Sequence, residues 1–273
     1  MTTRIEEAFE TATKDGRRAL IGFLTAGDPA PSHTGTLCRA LIEGGVDILE
    51  LGIPFSDPIA DGPTIQAADN RALAAGTNTD TCLDAARALR NKHEIPIAFL
   101  TYYNPIFKYG LANFMKKASE CVDGLIVPDL PDLGSKEFLS YKRLAKRNHL
   151  ATILLAAPTT TDEKLKSLMR ESEGFLYLVS LLGVTGARSG VPAASLDLIR
   201  RVSRISNHSV KVAVGFGISS PDQVFSVLKT GADGVIVGSA FVNIVANNLD
   251  NIEAAATQLR TFASKLKEAT RIR

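Results

Sequence analysis

The sequence has few cysteines and histidines, no tryptophan and no long apolar run. Its three cysteines, Cys38, Cys82 and Cys121, are an odd number without metal-type spacing. We therefore expect buried, reduced thiols in helical segments of a cytoplasmic protein. No apolar run approaches about eighteen residues, and the first residues are charged and amphipathic, so we expect neither a membrane span nor export.

An excess of charge of one sign is also lacking. The 273 residues carry 31 basic and 29 acidic side chains, a net charge of +2, which indicates neither a nucleic-acid surface nor a membrane surface. No linker or low-complexity stretch divides the chain. We therefore expect a single domain over residues 1–273.

Short apolar runs alternate with helical patterns, as is typical of repeated βα units on a parallel sheet. The eight runs lie at 19–25, 46–53, 95–102, 124–128, 151–156, 175–180, 210–216 and 234–237. Eight such units, in a chain close to the usual size of about 250 residues, favour an α/β fold of the (β/α)₈ TIM barrel type over an open sheet. Extra helices are predicted before the first strand, at 65–75 and at 252–267.

Helix start signals support this pattern. Ser220, Pro221 and Gln223 predict an N-cap, a first-turn proline and a capping-box partner, and Gly231 predicts the end of that helix. Asn78 or Thr79 predicts the cap of the helix that follows.

Active sites of such barrels lie at the carboxyl ends of the strands, and no histidine or lysine is predicted there. His93, His149 and His208 precede strands, His33 lies in the first helix after a strand, and Lys211 opens the seventh strand. We therefore expect neither a metal site nor a Schiff-base lysine.

A carboxyl group is better placed. Glu50 shares one face of its strand with Ile48 and Gly52, while Leu49 and Leu51 share the other. If the leucines pack against helices, Glu50 points into the barrel mouth, where apolar surroundings raise the pKa of a carboxyl toward the range useful for acid–base catalysis. The alternative is an outward Glu50 paired with a surface cation.

The next loop, 54–64, contains three prolines and the turn signal Asp61-Gly62. Asp57 and Asp61 are either turn formers or ligands for a hydrogen-bond donor of a substrate. From the loop alone, turn formation is favoured.

Glycines follow the last strands. Gly215 and Gly217 end the seventh run, and Gly238 and Ser239 end the eighth, where barrels commonly bind phosphate through backbone N–H groups. Tight turns are the alternative. A third glycine run at 183–190 predicts further donors to the phosphate or a closing lid, and flexibility alone is the competing interpretation.

The segments 49–58 (LELGIPFSDP), 60–66 (ADGPTIQ), 183–186 (GVTG) and 215–219 (GFGIS) resemble, in order, the tryptophan synthase alpha subunit family. The resemblance spans nearly the whole chain, and its first segment is long and specific. It implies a lyase that cleaves indole-3-glycerol phosphate to indole and glyceraldehyde 3-phosphate by a retro-aldol reaction, without metal or organic cofactor.

The resemblance also implies roles. Glu50 would be the general acid–base, and Asp61 would accept the indole N–H and stabilise positive charge on the ring. The other implied substrate contacts are Phe23, Leu100, Tyr177, Thr185, Gly186, Gly215, Phe216, Gly217, Gly238 and Ser239. The partner would be a beta subunit that carries pyridoxal phosphate, in an α₂β₂ assembly, and the loops around Asp57 and at 185–192 would face it.

Two other functions stay open from sequence. The same glycines would bind the phosphate in another barrel enzyme, a sugar-phosphate isomerase or epimerase. The pocket of such an enzyme would not prefer a flat bicyclic ring, so competition by indole analogues separates the two functions. The chain could also act mainly by activating a partner, with weak catalysis of its own.

Overall fold

The structure, a computed structural model, describes residues 2–179, 193–206, 210–215 and 217–272. Eight parallel strands pair in sequence order and close into a barrel, with the first strand bonded to the eighth. This confirms the predicted (β/α)₈ barrel.

The strands are short. They are β1 Ala19–Thr25, β2 Ile48–Gly52, β3 Ile97–Leu100, β4 Gly124–Ile126, β5 Ala151–Ala156, β6 Leu176–Val179, β7 Val212–Gly215 and β8 Gly234–Val237. All eight predicted runs contain a strand. Five of the runs extend one or two residues beyond their strand at one or both ends, and the extra residues that the structure describes are all buried or half-buried.

Helices connect and surround the strands. They are α1 Arg4–Lys14, α2 Thr34–Glu43, α3 Pro63–Ala74, α4 Thr79–Arg90, α5 Tyr103–Tyr109, α6 Leu111–Ala118, α7 Lys136–Arg147, α8 Asp162–Glu171, α9 Ala193–Ser206, α10 Pro221–Lys229, α11 Ser239–Ala246 and α12 Ile252–Glu268. The three predicted extra helices are α1, α3 and α12. A short 3₁₀ helix, Pro31–His33, precedes α2 and contains His33.

The strands are apolar on both faces because each face is buried. Leu49 and Leu51 of β2 belong to the large cluster between the sheet and the helices. Ile48 belongs to the cluster inside the barrel, together with Phe175 and Ile236. Residues of β2 at even positions therefore face the barrel axis, which is the arrangement that the alternation predicts.

The predicted caps are observed, with one difference. Asn78 caps α4 in a reciprocal capping box with Thr81. Ser220 caps α10, with Pro221 in the first turn, but the Gln223 side chain accepts the N–H of Ser219 instead of that of Ser220. The expected capping box is therefore half formed, because the glutamine reaches one residue further back.

Cys38, Cys82 and Cys121 are buried and unpaired. Two lie in α2 and α4, whereas Cys121 lies in the turn after α6 and not in a helix. Within the described ranges, no helix is long and apolar enough to cross a membrane.

Candidate active site

A cavity of about 750 Å³ opens at the carboxyl ends of the strands. Its wall includes nine of the residues that sequence and resemblance single out, and these are Phe23, Glu50, Asp61, Leu100, Tyr177, Gly215, Gly217, Gly238 and Ser239. Thr185, Gly186 and Phe216 lie outside the described residues, as does the loop 185–192. Asp57 is exposed on the loop between β2 and α3 and does not line the cavity.

Glu50 lies in the middle of β2 and is fully buried. Neither carboxylate oxygen has a hydrogen-bond partner among the described residues. Burial, and to a lesser degree the nearby Asp61 carboxyl, raises the pKa of Glu50 to about 8. Such a group changes its protonation state near neutral pH and can both donate and accept a proton there.

Asp61 is at once a turn residue and a cavity residue. Its N–H donates to the carbonyl of Pro58 at 3.0 Å, which closes the turn, and its carboxylate accepts the hydroxyl of Tyr102 at 2.8 Å. The same Tyr102 oxygen accepts the N–H of Ala60 at 2.9 Å. Burial raises the pKa of Asp61, and the Tyr102 hydrogen bond lowers it in part.

Aromatic rings line the cavity where glycines make room for them. A Cβ added at Gly215 would lie 2.7 Å from the Tyr177 ring, and one at Gly52 would lie 2.8 Å from the Phe23 ring. Both distances are too short for real contacts, so these two glycines are needed for the ring positions. Tyr177 and Phe23 are nearly buried, with 9% and 5% exposure, and their faces are apolar surfaces for a flat ligand.

Beside these rings, the cavity wall also presents backbone groups. Helix α11 begins at the cavity wall, and its N-cap, Gly238, makes no side-chain capping hydrogen bond. The first N–H groups of a helix have no intrahelical acceptor, so those of α11 can bind an anion. Gly217 has φ of +67°, a backbone conformation that glycine adopts readily.

Sequence reasoning missed several residues of this site. Tyr102, which holds Asp61, is not among the predicted site residues, although a polar residue at the carboxyl end of a predicted strand is a usable signal. Apolar wall residues were also missed, namely Ile65, Pro128, Leu155 and Ile236. They carry no chemical signal in the sequence that separates them from ordinary core.

Histidine and lysine are absent from the described wall of the cavity. In the part of the chain that the structure describes, no three His, Cys, Asp or Glu side chains come together as a metal site. The titratable side chains on the described wall are Glu50, Asp61 and Tyr177, and a carboxyl with a raised pKa such as Glu50 can transfer protons to and from a molecule bound in the cavity.

Comparison with known proteins agrees with this chemistry. A family model described as the tryptophan synthase alpha chain matches residues 9–271. The tryptophan synthase alpha chain of Methanoregula boonei is 47% identical over 270 residues, which cover 98% of this chain and 99% of that protein. The one from Geobacter sulfurreducens is 44% identical, with 98% of each chain covered.

Solved structures are similar over the same length. A chain of Mycobacterium tuberculosis tryptophan synthase superposes with a TM-score of 0.88 at 34% identity, covering 100% of both chains. A chain of the tryptophan synthase complex from Pyrococcus furiosus superposes with a TM-score of 0.82 at 42% identity, covering 92% of this chain and 98% of that one.

Proposed function

The chain belongs to the tryptophan synthase alpha chain family, and on this premise we propose that its cavity cleaves indole-3-glycerol phosphate to indole and glyceraldehyde 3-phosphate. This makes it a carbon–carbon lyase of tryptophan biosynthesis. The observation that carries the proposal is Glu50, a fully buried carboxyl without a described hydrogen-bond partner, on the wall of a cavity that Asp61 also lines.

Glu50 acts first as an acid and then as a base. In its neutral form it donates a proton to the ring carbon that bears the glycerol chain, which leaves a cationic ring. The Glu50 carboxylate then accepts the proton of the adjacent chain hydroxyl. The electron pair of the carbon–carbon bond returns to the ring, so indole leaves with the new C–H bond and the chain leaves as an aldehyde.

Asp61 stabilises the cationic ring. Its carboxylate accepts the indole N–H, whose positive charge grows as the ring carbon is protonated. An interaction that strengthens in the transition state lowers the barrier. The Tyr102 hydroxyl, 2.8 Å from the carboxylate, supports the ionised form of Asp61 and fixes its position.

The two ends of the substrate need different surroundings. Phe23, Leu100 and Tyr177 supply the apolar wall for the indole ring. The phosphate would be bound by backbone N–H groups around Gly215, Gly217, Gly238 and Ser239, at the start of α11. The family resemblance adds Thr185, Gly186 and Phe216 to this end.

The proposal includes no cofactor in this chain, because Glu50 accounts for both proton transfers and Asp61 stabilises the charge that forms on the ring. Pyridoxal phosphate belongs to the partner that we propose, a tryptophan synthase beta subunit, in an α₂β₂ assembly. The similarity to a chain of the Pyrococcus furiosus complex supports such a partner. The absence of a metal requirement is tested by extensive dialysis of the purified chain against a chelator. Indole release that survives the dialysis supports it, and indole release restored only by an added metal contradicts it.

We also propose the cytoplasm as the location. Three buried, unpaired cysteines are typical of proteins from reducing compartments. Fractionation of cells that express the chain tests this, and recovery outside the cytoplasm contradicts it.

The test of the proposed reaction is release of indole from indole-3-glycerol phosphate by the purified chain. Loss of an acid–base group typically lowers kcat about 10²–10⁴-fold, and we expect this for Glu50→Gln, with a loss also for Asp61→Asn. Glu10→Gln, an exposed change on α1, is the control with unchanged rate. A Glu50→Gln variant within a few-fold of wild type removes the mechanism.

A further inference from the structure

Asp69 is a buried carboxyl that the proposed reaction does not use. It lies in the middle of α3 and is 4% exposed. Buried carboxyls are normally paired with a cation, but no Lys, Arg or His in the described ranges forms an ion pair with Asp69. The adjacent cation, Arg71, pairs with Asp28 at 2.7 Å. The burial of Asp69 therefore needs another explanation.

Asp69 contacts both the end of β1 and the substrate loop, which we define as residues 53–62. One oxygen accepts the hydroxyl of Thr25, at the carboxyl end of β1, at 3.3 Å. The other accepts the N–H of Phe55, near the start of the substrate loop, at 3.4 Å. The carboxyl thus links the loop to the end of the neighbouring strand and to α3.

The substrate loop is held at both ends. Near its far end, Tyr102 accepts the Ala60 N–H and donates to Asp61. At its start, the Phe55 N–H donates to Asp69. With both tethers in place, the position of the Asp61 carboxylate is fixed relative to the strand ends.

The surroundings of Asp69 favour its protonated, neutral form at neutral pH or below. Burial, and then the Asp61 carboxyl, raise the pKa of Asp69 to about 7, with a smaller effect of Asp28. Tyr102 and Cys82 are the other titratable groups whose pKa it affects. A carboxyl oxygen accepts the Phe55 N–H in either protonation state, so the tether persists through this range.

We propose that Asp69 is a positioning residue for the lyase reaction, because it holds the start of the substrate loop through the Phe55 N–H and thereby fixes Asp61 against the substrate ring. The proposal rests on the proposed function of the cavity. Under this proposal, α3 contributes to catalysis through Asp69 although Asp69 does not touch the substrate.

Asp69→Ala removes the tether, and Asp69→Asn keeps the shape and one acceptor oxygen for Phe55. Misplacement of a catalytic group by about 1 Å can lower the rate about 100-fold, so we expect kcat of Asp69→Ala to fall about 10- to 100-fold with a smaller change in KM. Asp69→Asn should retain most of the rate. If Asp69→Ala does not fold, Asp69→Leu replaces it, since leucine fills a similar volume and accepts no hydrogen bond.

A double-mutant cycle with Asp61→Asn separates positioning from other effects. If Asp69 acts through Asp61, adding Asp69→Ala to Asp61→Asn lowers kcat little further. Fully additive losses, or an Asp69→Ala variant with wild-type kcat, overturn the proposal.

Asp47→Ala is the matched control. Asp47 is also a poorly exposed carboxyl that accepts a backbone N–H, that of Leu20 at 2.7 Å, but it lies at the opposite end of β2 and pairs with Lys267. We expect Asp47→Ala to lower stability and leave kcat unchanged. A loss of kcat equal to that of Asp69→Ala would show that destabilisation alone explains the effect and would overturn the proposal.

Hydrogen exchange of the substrate-loop amides gives a readout without turnover. Asp69→Ala should accelerate exchange at Phe55 and its neighbours, whereas Asp69→Asn and Asp47→Ala should not. If the wild-type chain releases no indole, the proposed reaction fails, and exchange still decides whether Asp69 holds the loop. Unchanged exchange in Asp69→Ala overturns the inference even where the reaction is confirmed.

Discussion

Glu50 moves on folding from water into a fully buried position where its oxygens have no described partner. Its pKa is near 4.3 in an unfolded chain and about 8 in the fold. The folded state therefore binds the proton more tightly than the unfolded state. Stability falls as pH rises between these two pKa values and shows no further dependence on this group above about pH 8.

Replacing this residue should stabilise the protein at high pH. We expect the free energy of unfolding of Glu50→Gln to exceed that of wild type by about 2–4 kcal/mol at pH 9, and the gap to close toward pH 4. Urea unfolding of both proteins across this range measures the gap. Glu10→Gln, at an exposed position, should show no such trend, and a gap for Glu50→Gln that is constant with pH contradicts the assigned burial cost.

Tyr102 is a second single residue with a measurable effect. Its hydroxyl donates to Asp61 and lowers the pKa of that carboxyl in part. Tyr102→Phe should raise the pKa of Asp61, so the acid limb of kcat/KM should move to higher pH. A hydrogen bond to a charged group contributes about 1.5–3 kcal/mol, which corresponds to a loss of about 10- to 100-fold in kcat/KM.

The control for Tyr102→Phe is Tyr141→Phe. Tyr141 is buried on α7, and its hydroxyl has no described partner. We expect its pH profile to match wild type. A Tyr102→Phe profile with an unshifted acid limb would show that Asp61 does not depend on this hydroxyl.

The sequence is informative about Glu50 because strand alternation is local. Ile48 and Glu50 share a face whatever the rest of the chain does. Tyr102 and Asp69 could not be assigned in this way, because their partners lie 41 and 14 residues away in the chain, at Asp61 and Phe55. Such contacts exist only once the barrel brings the strand ends together.

At the scale of elements, β7 carries a steric requirement. A Cβ on Gly215 would lie 2.7 Å from the Tyr177 ring of β6, so Gly215→Ala should displace the ring into the cavity. We expect kcat/KM to fall at least about tenfold, since small displacements at a reacting centre are costly. Steady-state kinetics with indole-3-glycerol phosphate measures this.

Gly35→Ala in α2 is the matched control. An added Cβ at Gly35 meets nothing within 4 Å, and alanine in a helix is favoured over glycine by about 0.5–1 kcal/mol. This variant should be slightly more stable and equally active. Equal kinetics for Gly215→Ala and wild type would mean that Tyr177 tolerates displacement.

The ends of the strands are predicted less well by hydrophobicity than the existence of the strands. The predicted run 46–53 contains β2, Ile48–Gly52, but Val46 and Ile53 are buried outside the strand. Burial and strand pairing are different properties, and only the first is visible in composition. Cap signals are more specific, because Asn78 begins α4 through a defined hydrogen bond to the Thr81 N–H.

At the scale of the whole molecule, the cavity opens on a face with exposed apolar side chains. Ile59, on the substrate loop, is 71% exposed, and Phe107, in α5 after β3, is 68% exposed. Both follow the carboxyl ends of strands, so they lie on the side of the barrel that carries the site. An apolar surface beside the site is typical of a partner interface.

We therefore expect partner binding and catalysis to be coupled. The isolated chain should release indole slowly, and addition of a tryptophan synthase beta subunit should accelerate it at least several-fold, because contact on this face covers Ile59 and restrains the substrate loop between its two tethers. Phe107→Ser, outside the cavity wall, should leave the basal rate unchanged and weaken the stimulation. Glu50→Gln should remain inactive when the partner is present, since partner contact cannot replace the proton donor. Equal rates of indole release by the wild-type chain with and without the partner would contradict the coupling.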